Sequence, residues 1–365
     1  ELHATVLDRK KPLWQFTVIE GLEDGSLALY SKVHHAAIDG GAGMVITQAL
    51  YDLSPKPREV APPEPKPAAR KPTTPERAVL GFHDIVTNVM RQQLAAMESV
   101  PKVLGQMADM VTPVLTGKVG LPQILAPRSP FNVTVGKKRS YAARTLSLIE
   151  AKDLAKASGV KLNDVVMAIT AGAVRRYLTE RQALPDASLV AFVPISMRDL
   201  GNTELNNQVF GMTCALATNY GDPVKRLQKI KEASGTSKAL AGSVKDGAPG
   251  DFTLVGAPTL LPGLMQLYGL SRLADVFPGA VNMCISNNMG PPFPMYCAGA
   301  KVTALYPVSI ATHGVGLNVT VTSYMGSLDF GITCDHAAVP DVDRLADLFQ
   351  GALCELKDAV AKAAA

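Results

Sequence analysis

Between Ser54 and Pro75 the chain carries eight prolines among Lys, Arg, Glu and Ala. Proline fixes φ and has no N–H to donate, so this stretch cannot lie inside a helix or in the middle of a sheet. It reads as an extended linker, and its charges as a solvated face. The 365 residues are thereby split into a short leading piece and a long trailing one, at a length where two domains are expected. The spacing predicts the remainder of one domain over 1–53, the linker and bridging helices over 54–120, and a second domain over 121–365. Within the bridge, Val79, Phe82, Val86, Val89 and Met90 fall at helical spacing. That amphipathic face is either a packed bridge or a lipid-facing surface.

The leading piece centres on Ser26–Leu50. Leu27, Leu29, Ser31, Val33 and His35 alternate as in a strand, and Gly40–Leu50 reads as a short helix. Asp39 stands where a carboxylate caps that helix. By parity His35 and His34 point opposite ways, so they are not expected to share a role. A neutral imidazole accepts a proton near neutral pH, and the small residues Ala36, Ala37, Gly40 and Gly41 leave a substrate room to reach it. Asp39 either orients the ring or is held by an arginine. A metal site using His34, His35 and Asp39 is disfavoured because adjacent residues leaving a strand point apart. Gln15–Glu20 should form a second strand, joined through Gly21–Gly25 as a hairpin. Trp14, the only tryptophan, is expected to anchor a core.

In the trailing piece, strands are expected over Arg139–Ile149, Ser188–Pro194, Met212–Ala217, Val281–Ser286, Val302–Ser309, Gly316–Tyr324 and Ser327–Asp335. Helices are expected over Glu150–Ser158, Leu162–Leu178, Pro223–Lys238 and Asp341–Ala363. Gly201–Gly211 reads as loop, and Phe252–Leu273 as a broken apolar segment, either buried or interfacial. Asn163 or Asp164 is a natural N-cap for its helix. Ser286-Asn287-Asn288-Met289-Gly290-Pro291 reads as a turn at a sheet edge, where a hydroxyl or N–H has oxyanion-stabilising chemistry. His313 and His336 read as incidental loop residues. Strands and helices mix without a βαβ rhythm, which suggests an α+β fold in two layers.

His34-His35-Ala36-Ala37-Ile38-Asp39-Gly40 matches the HHxxxDG motif of the CoA-dependent acyltransferase superfamily. Pro12-Leu13-Trp14, Asn163-Asp164 and Ser286-Asn287-Asn288-Met289-Gly290-Pro291 resemble the PLW, ND and SNVPGP signatures of bacterial wax ester synthase/diacylglycerol acyltransferases. In the last of these Asn288-Met289 stands where the family has Val-Pro, a change expected to alter a turn. The resemblance covers essentially the whole chain. It implies a chloramphenicol-acetyltransferase-like fold of two related domains with a tunnel between them. It also implies acyl transfer from a fatty acyl-CoA to diacylglycerol or a fatty alcohol, with His35 as general base. On this reading His34 and Asp39 join His35 as the catalytic residues, and Gly40, Asn163, Asp164, Arg198, Ser286 and Asn287 support them or bind the substrates. Arg198, or failing it Arg139, pairs with Asp39. The related alternative is a condensation-domain-like or polyketide-associated acyltransferase taking carrier-protein thioesters. A non-catalytic lipid-surface protein retaining the fold is the other. Family members carry further residues before the PLW stretch, so the chain is expected to lack an N-terminal segment that would partner it.

Composition sets the remaining bounds. Aromatic residues are only 5% and the net charge is +4, which leaves no stacking platform or strong basic footprint for nucleic acid. Five widely spaced cysteines with no CxxC pair suggest reduced thiols and a cytoplasmic protein. No apolar run reaches the ~18 residues of a spanning helix, so peripheral contact with the inner membrane or lipid inclusions is expected. No metal and no cofactor are expected, acyl-CoA being a substrate.

Overall fold

The computed structural model describes residues 1–34, 46–47, 49–60, 62, 126–196, 209–245, 268–276 and 279–364. By contacts the chain divides into a larger unit, Glu1–Pro57 with Gln123–Ser237 and Arg272–Ala365, and a smaller one, Arg58–Pro122 with Lys238–Ser271. Most of the smaller unit lies outside the described residues. With it go the greater part of the proline stretch, the bridging helices and nearly all of Phe252–Leu273.

In the larger unit, β1 (Trp14–Ile19) and β2 (Ala28–Val33) form the expected antiparallel hairpin, with Trp14 opposite Val33. Gly21 and Gly25 bound its turn at φ 78° and 74°, a region open to glycine at little cost. Trp14 is not a core anchor. Its indole is 53% exposed and lies tilted against Phe16 at 5.1 Å between ring centres. Further along, Asp52 pairs with Tyr296 through reciprocal backbone bonds of 2.8 and 2.9 Å.

A six-stranded mixed sheet forms the centre. Its strands are β3 (Arg139–Ser147), β4 (Val190–Ser196), β5 (Val209–Ala215), β6 (Met283–Asn288), β9 (Leu317–Tyr324) and β10 (Ser327–Asp335). The spatial order is β3-β10-β9-β6-β4-β5. Between β6 and β9 lies a small ribbon of β7 (Tyr296–Cys297) and β8 (Ala300–Lys301). Strand β6 runs parallel to both its neighbours, and the other pairings are antiparallel. Met325 and Gly326, at φ 45° and 91°, make the tight turn joining β9 to β10. Positive φ at both central residues matches the twist of the flanking strands.

Alternation gives the sheet two different faces. Leu317, Val319 and Val321 of β9, with Leu328, Phe330 and Ile332 of β10, are buried in the apolar core. Helices α1 (Leu148–Ser158), α2 (Leu162–Glu180), α3 (Pro223–Lys245) and α4 (Val342–Ala364) include the four expected, and the third runs longer. Phe349 of α4 meets Phe330 at 5.1 Å, which fixes the apolar face as the helix side. Leu345, Phe349, Leu353 and Leu356 repeat at helical spacing and are buried. Helix α2 is apolar almost all round because α1 and α4 pack against it. Ser147 caps α1 by accepting from Glu150 N–H at 3.1 Å. Gly159, at φ 61°, ends that helix, with Val160 N–H bonding Ala155 C=O at 3.0 Å.

The opposite face is polar: Asn318 and Thr320 of β9, Asp329 and Thr333 of β10. Val302–Ser309, expected as a strand, instead crosses this face without a ladder. Leu305 N–H donates to Asp329 Oδ2 at 2.8 Å, and Ser309 N–H donates to Thr333 Oγ1 at 3.3 Å. Side chains of the sheet supply the partners a strand would find on a neighbouring backbone. The approach is close at Gly331, where a Cβ would sit 1.7 Å from Pro307 O.

Candidate active site

The site residues fall into three groups. His34 directly follows β2, half-buried, and its N–H donates to Leu13 C=O at 2.9 Å. His35, Asp39 and Gly40 lie outside the described residues, as does Arg198. Arg139 is described. It lies 3.8 Å from Asp335, and its Nη1 donates to Gly136 C=O at 2.7 Å.

The second group is the start of α2. Lys161 holds the N-cap position, one residue before the helix, so neither Asn163 nor Asp164 caps it. Asp164 is the third helical residue and closes a capping box: Lys161 N–H donates to its Oδ2 at 3.0 Å. Ser234 Oγ of α3 donates to the other oxygen, Oδ1, at 2.7 Å. With both oxygens bonded and only 2% of the residue exposed, Asp164 works as a clamp between α2 and α3. The negative charge also suits a helix N-terminus. No sequence spacing links Ser234 to Asp164, and only the packing of α3 on α2 reveals its part.

The third group is β6. Its last residues were expected as a turn at a sheet edge. They are instead strand paired along β9, with Ser286 opposite Thr320 and Asn287 opposite Val321. The chain turns only beyond Asn288, at a glycine that must stay small: a Cβ on Gly290 would meet Ser323 O at 2.1 Å. Adjacent strand residues face opposite ways. Asn287 accordingly points to the helix side, where its Nδ2 donates to Asn163 Oδ1 at 3.4 Å. Ser286 points to the polar face, and its hydroxyl bonds no described residue. So the structure joins the ND and SN stretches through a long amide–amide hydrogen bond, both side chains half-buried. That weak bond leaves both amides able to exchange partners with a substrate carbonyl or hydroxyl.

The nearby thiol is inert by environment. Burial pushes the Cys284 thiol up to about 11, so it stays protonated near neutral pH and is a poor nucleophile. His313 Nδ1 accepts from Val135 N–H at 3.1 Å, joining two loops, and His336 Nδ1 lies 2.7 Å from Ser140 Oγ, tying its loop to β3. Among the described residues no three of His, Cys, Asp and Glu gather as metal ligands.

Comparison with known proteins gives the family of this mixed sheet layered with helices. A profile described as the wax ester synthase/diacylglycerol acyltransferase catalytic domain matches residues 1–166, and its C-terminal domain profile matches 205–357. The O-acyltransferase WSD of Acinetobacter baylyi is 31% identical over 98% of this chain and 77% of its own length. A Mycobacterium tuberculosis protein named probable diacylglycerol O-acyltransferase is 33% identical, over 98% of this chain and 76% of its own. The solved wax ester synthase/diacylglycerol acyltransferase of Marinobacter aquaeolei superposes with a TM-score of 0.65 at 27% identity. That match covers 99% of this chain and 74% of the other. The chain therefore has the chloramphenicol-acetyltransferase-like α+β fold class. It belongs to the wax ester synthase/diacylglycerol acyltransferase family.

Proposed function

We propose that this acyltransferase moves a long-chain fatty acyl group from acyl-CoA to the hydroxyl of diacylglycerol or a fatty alcohol, with His35 as general base. The observation that carries the reading is the family match along 98% of the chain, which includes the His34-His35…Asp39-Gly40 motif. In the proposed step His35 takes the hydroxyl proton as the oxygen attacks the thioester carbonyl carbon. The tetrahedral intermediate collapses, the C–S bond breaks, and protonated His35 returns the proton to the CoA thiolate. Asn163 and Asn287 are the amides assigned to the acyl carbonyl or acceptor oxygen. A preorganised donor at an oxyanion is worth roughly 3–4 kcal/mol. Asp39, paired with Arg198, holds the loop and keeps His35 uncharged, while Ser286 lines the polar face.

Acyl-CoA is a substrate on this route, which needs neither an acyl-enzyme nor a metal. Because both acceptors are lipids, the protein is proposed to work in peripheral contact with a membrane or lipid inclusion on the cytoplasmic side. No helix among the described residues is long and apolar enough to cross a membrane. The test is acyl transfer from palmitoyl-CoA, with hexadecanol and dioleoylglycerol in separate reactions. The intact protein should release free CoA and form ester, and folded His35→Ala should lose at least a hundredfold in rate. Turnover by that variant at the wild-type rate would overturn the assignment.

A further inference from the structure

Arg226 sits in the first turn of α3 with its side chain only 3% exposed, yet its donors are incompletely used. Nη1 donates to Tyr220 C=O at 3.0 Å and more weakly to Gly221 C=O at 3.4 Å. Nη2 reaches Glu355 only at 3.8 Å, and buried Nε has no hydrogen-bond partner. A buried cation with open donors is costly unless something completes its shell. Two further guanidinium groups come alongside. Arg175, half-buried on α2, spends one Nη1 on Thr218 C=O. Its exposed neighbour Arg176 bonds no described residue.

All three open onto one cavity of about 270 Å³ between α2, α3 and α4. Gly172 makes the space, since a Cβ there would lie 3.3 Å from Arg226 Nη2 and 3.1 Å from Ala352 Cβ. Two carboxylates also line the cavity. Glu180 is already held by Arg344 through bonds of 3.1 and 2.5 Å. Glu355, with Asp222 acting on Arg226 from outside the lining, is then what remains to balance three cations. Burial, with Arg175 and Arg176 adding to it, holds the Arg226 guanidinium below its usual value, while Glu355 and Asp222 oppose the shift.

We propose that this cavity binds the phosphate of a phosphomonoester through Arg175, Arg176 and Arg226. A phosphate dianion offers acceptors on every side, and planar guanidinium forks bind such oxygens two at a time. The site is separate from the acyl-transfer residues: Arg175 stands ~18 Å along α2 from Asn163, at 1.5 Å per residue. Its ligand is either a soluble phosphate or the monoester headgroup of a lipid, and two arms distinguish these sources.

In the first arm, calorimetric titration of the full chain with inorganic phosphate should give saturable 1:1 binding. In the second, the chain should co-float with vesicles of phosphatidic acid in phosphatidylcholine and not with phosphatidylcholine alone. Saturation in either arm supports the site and names its source. Arg176→Gln, whose exposed position spares the fold, should weaken that binding at least tenfold with an unchanged melting temperature. Arg175→Gln provides a second variant. Absence of saturable binding in both arms, or equal binding by wild type and Arg176→Gln, would overturn the proposal.

Discussion

At the scale of single residues, the site shows how a motif divides its labour. Asn163 and Asp164 are neighbours, but the carboxylate is consumed in holding two helices together while the amide is left to Asn287. Asp164→Ala would take the carboxylate from the part-buried Lys161 N–H and from the buried Ser234 hydroxyl, which falls back on Lys231 C=O at 3.2 Å. The expected loss is about 1–2 kcal/mol, read as a lower urea midpoint with an unchanged slope. Asp164→Asn, which keeps one acceptor, should lose less. A loss no greater than ~0.5 kcal/mol for Asp164→Ala would mean that the clamp contributes little. The pair itself was legible from sequence as a helix start. The cap position was not, because Lys161 bonds through its backbone N–H, which any residue but proline supplies.

At the scale of elements, alternation and turn chemistry were enough to place β9, β10 and the hairpin between them, and helical spacing was enough for α1, α2 and α4. They were not enough for Val302–Ser309. Its apolar and β-branched residues suit a strand, but Leu305 and Ser309 find their partners in the carboxylate of Asp329 and the hydroxyl of Thr333, more than twenty positions later in the chain. Ser286–Asn288 misled in the opposite sense. Polar and turn-forming by composition, they are paired strand because β9 runs beside them. The crossing segment can be probed at Gly331. Gly331→Ala forces Pro307 away from the sheet, at a cost of about 1–3 kcal/mol for overpacking. Faster proteolytic cleavage within Val302–Ile310 should accompany the lower stability. An unchanged cleavage rate would show that the segment is held elsewhere.

For the molecule as a whole, the chain's first residues are tied to β2 and to the segment that crosses the polar face of the central sheet. His3 Nδ1 lies 3.0 Å from Tyr30 OH, and its ring also meets the backbone of Ser309. Burial, opposed by the Ser309 contact and assisted by Lys32 and Arg139, lowers the His3 pKa below 6.5. With the folded value below the unfolded one, this docking is fully stable above pH ~6.5. It weakens as pH falls toward the folded value. Hydrogen exchange in Glu1–Thr5 should therefore accelerate between pH 7 and pH 5, and His3→Gln should abolish that dependence. Identical profiles for the two proteins would exclude His3 as the cause.

The pairing of Asp52 with Tyr296 belongs to the same scale. These partners lie more than half the chain apart, so a ribosome must deliver most of the sequence before the early segment can close against its destination. Until then Asp52 has no Tyr296 to pair with. Synthesis of this protein thus carries a waiting period, and holding chaperones should be needed most during it.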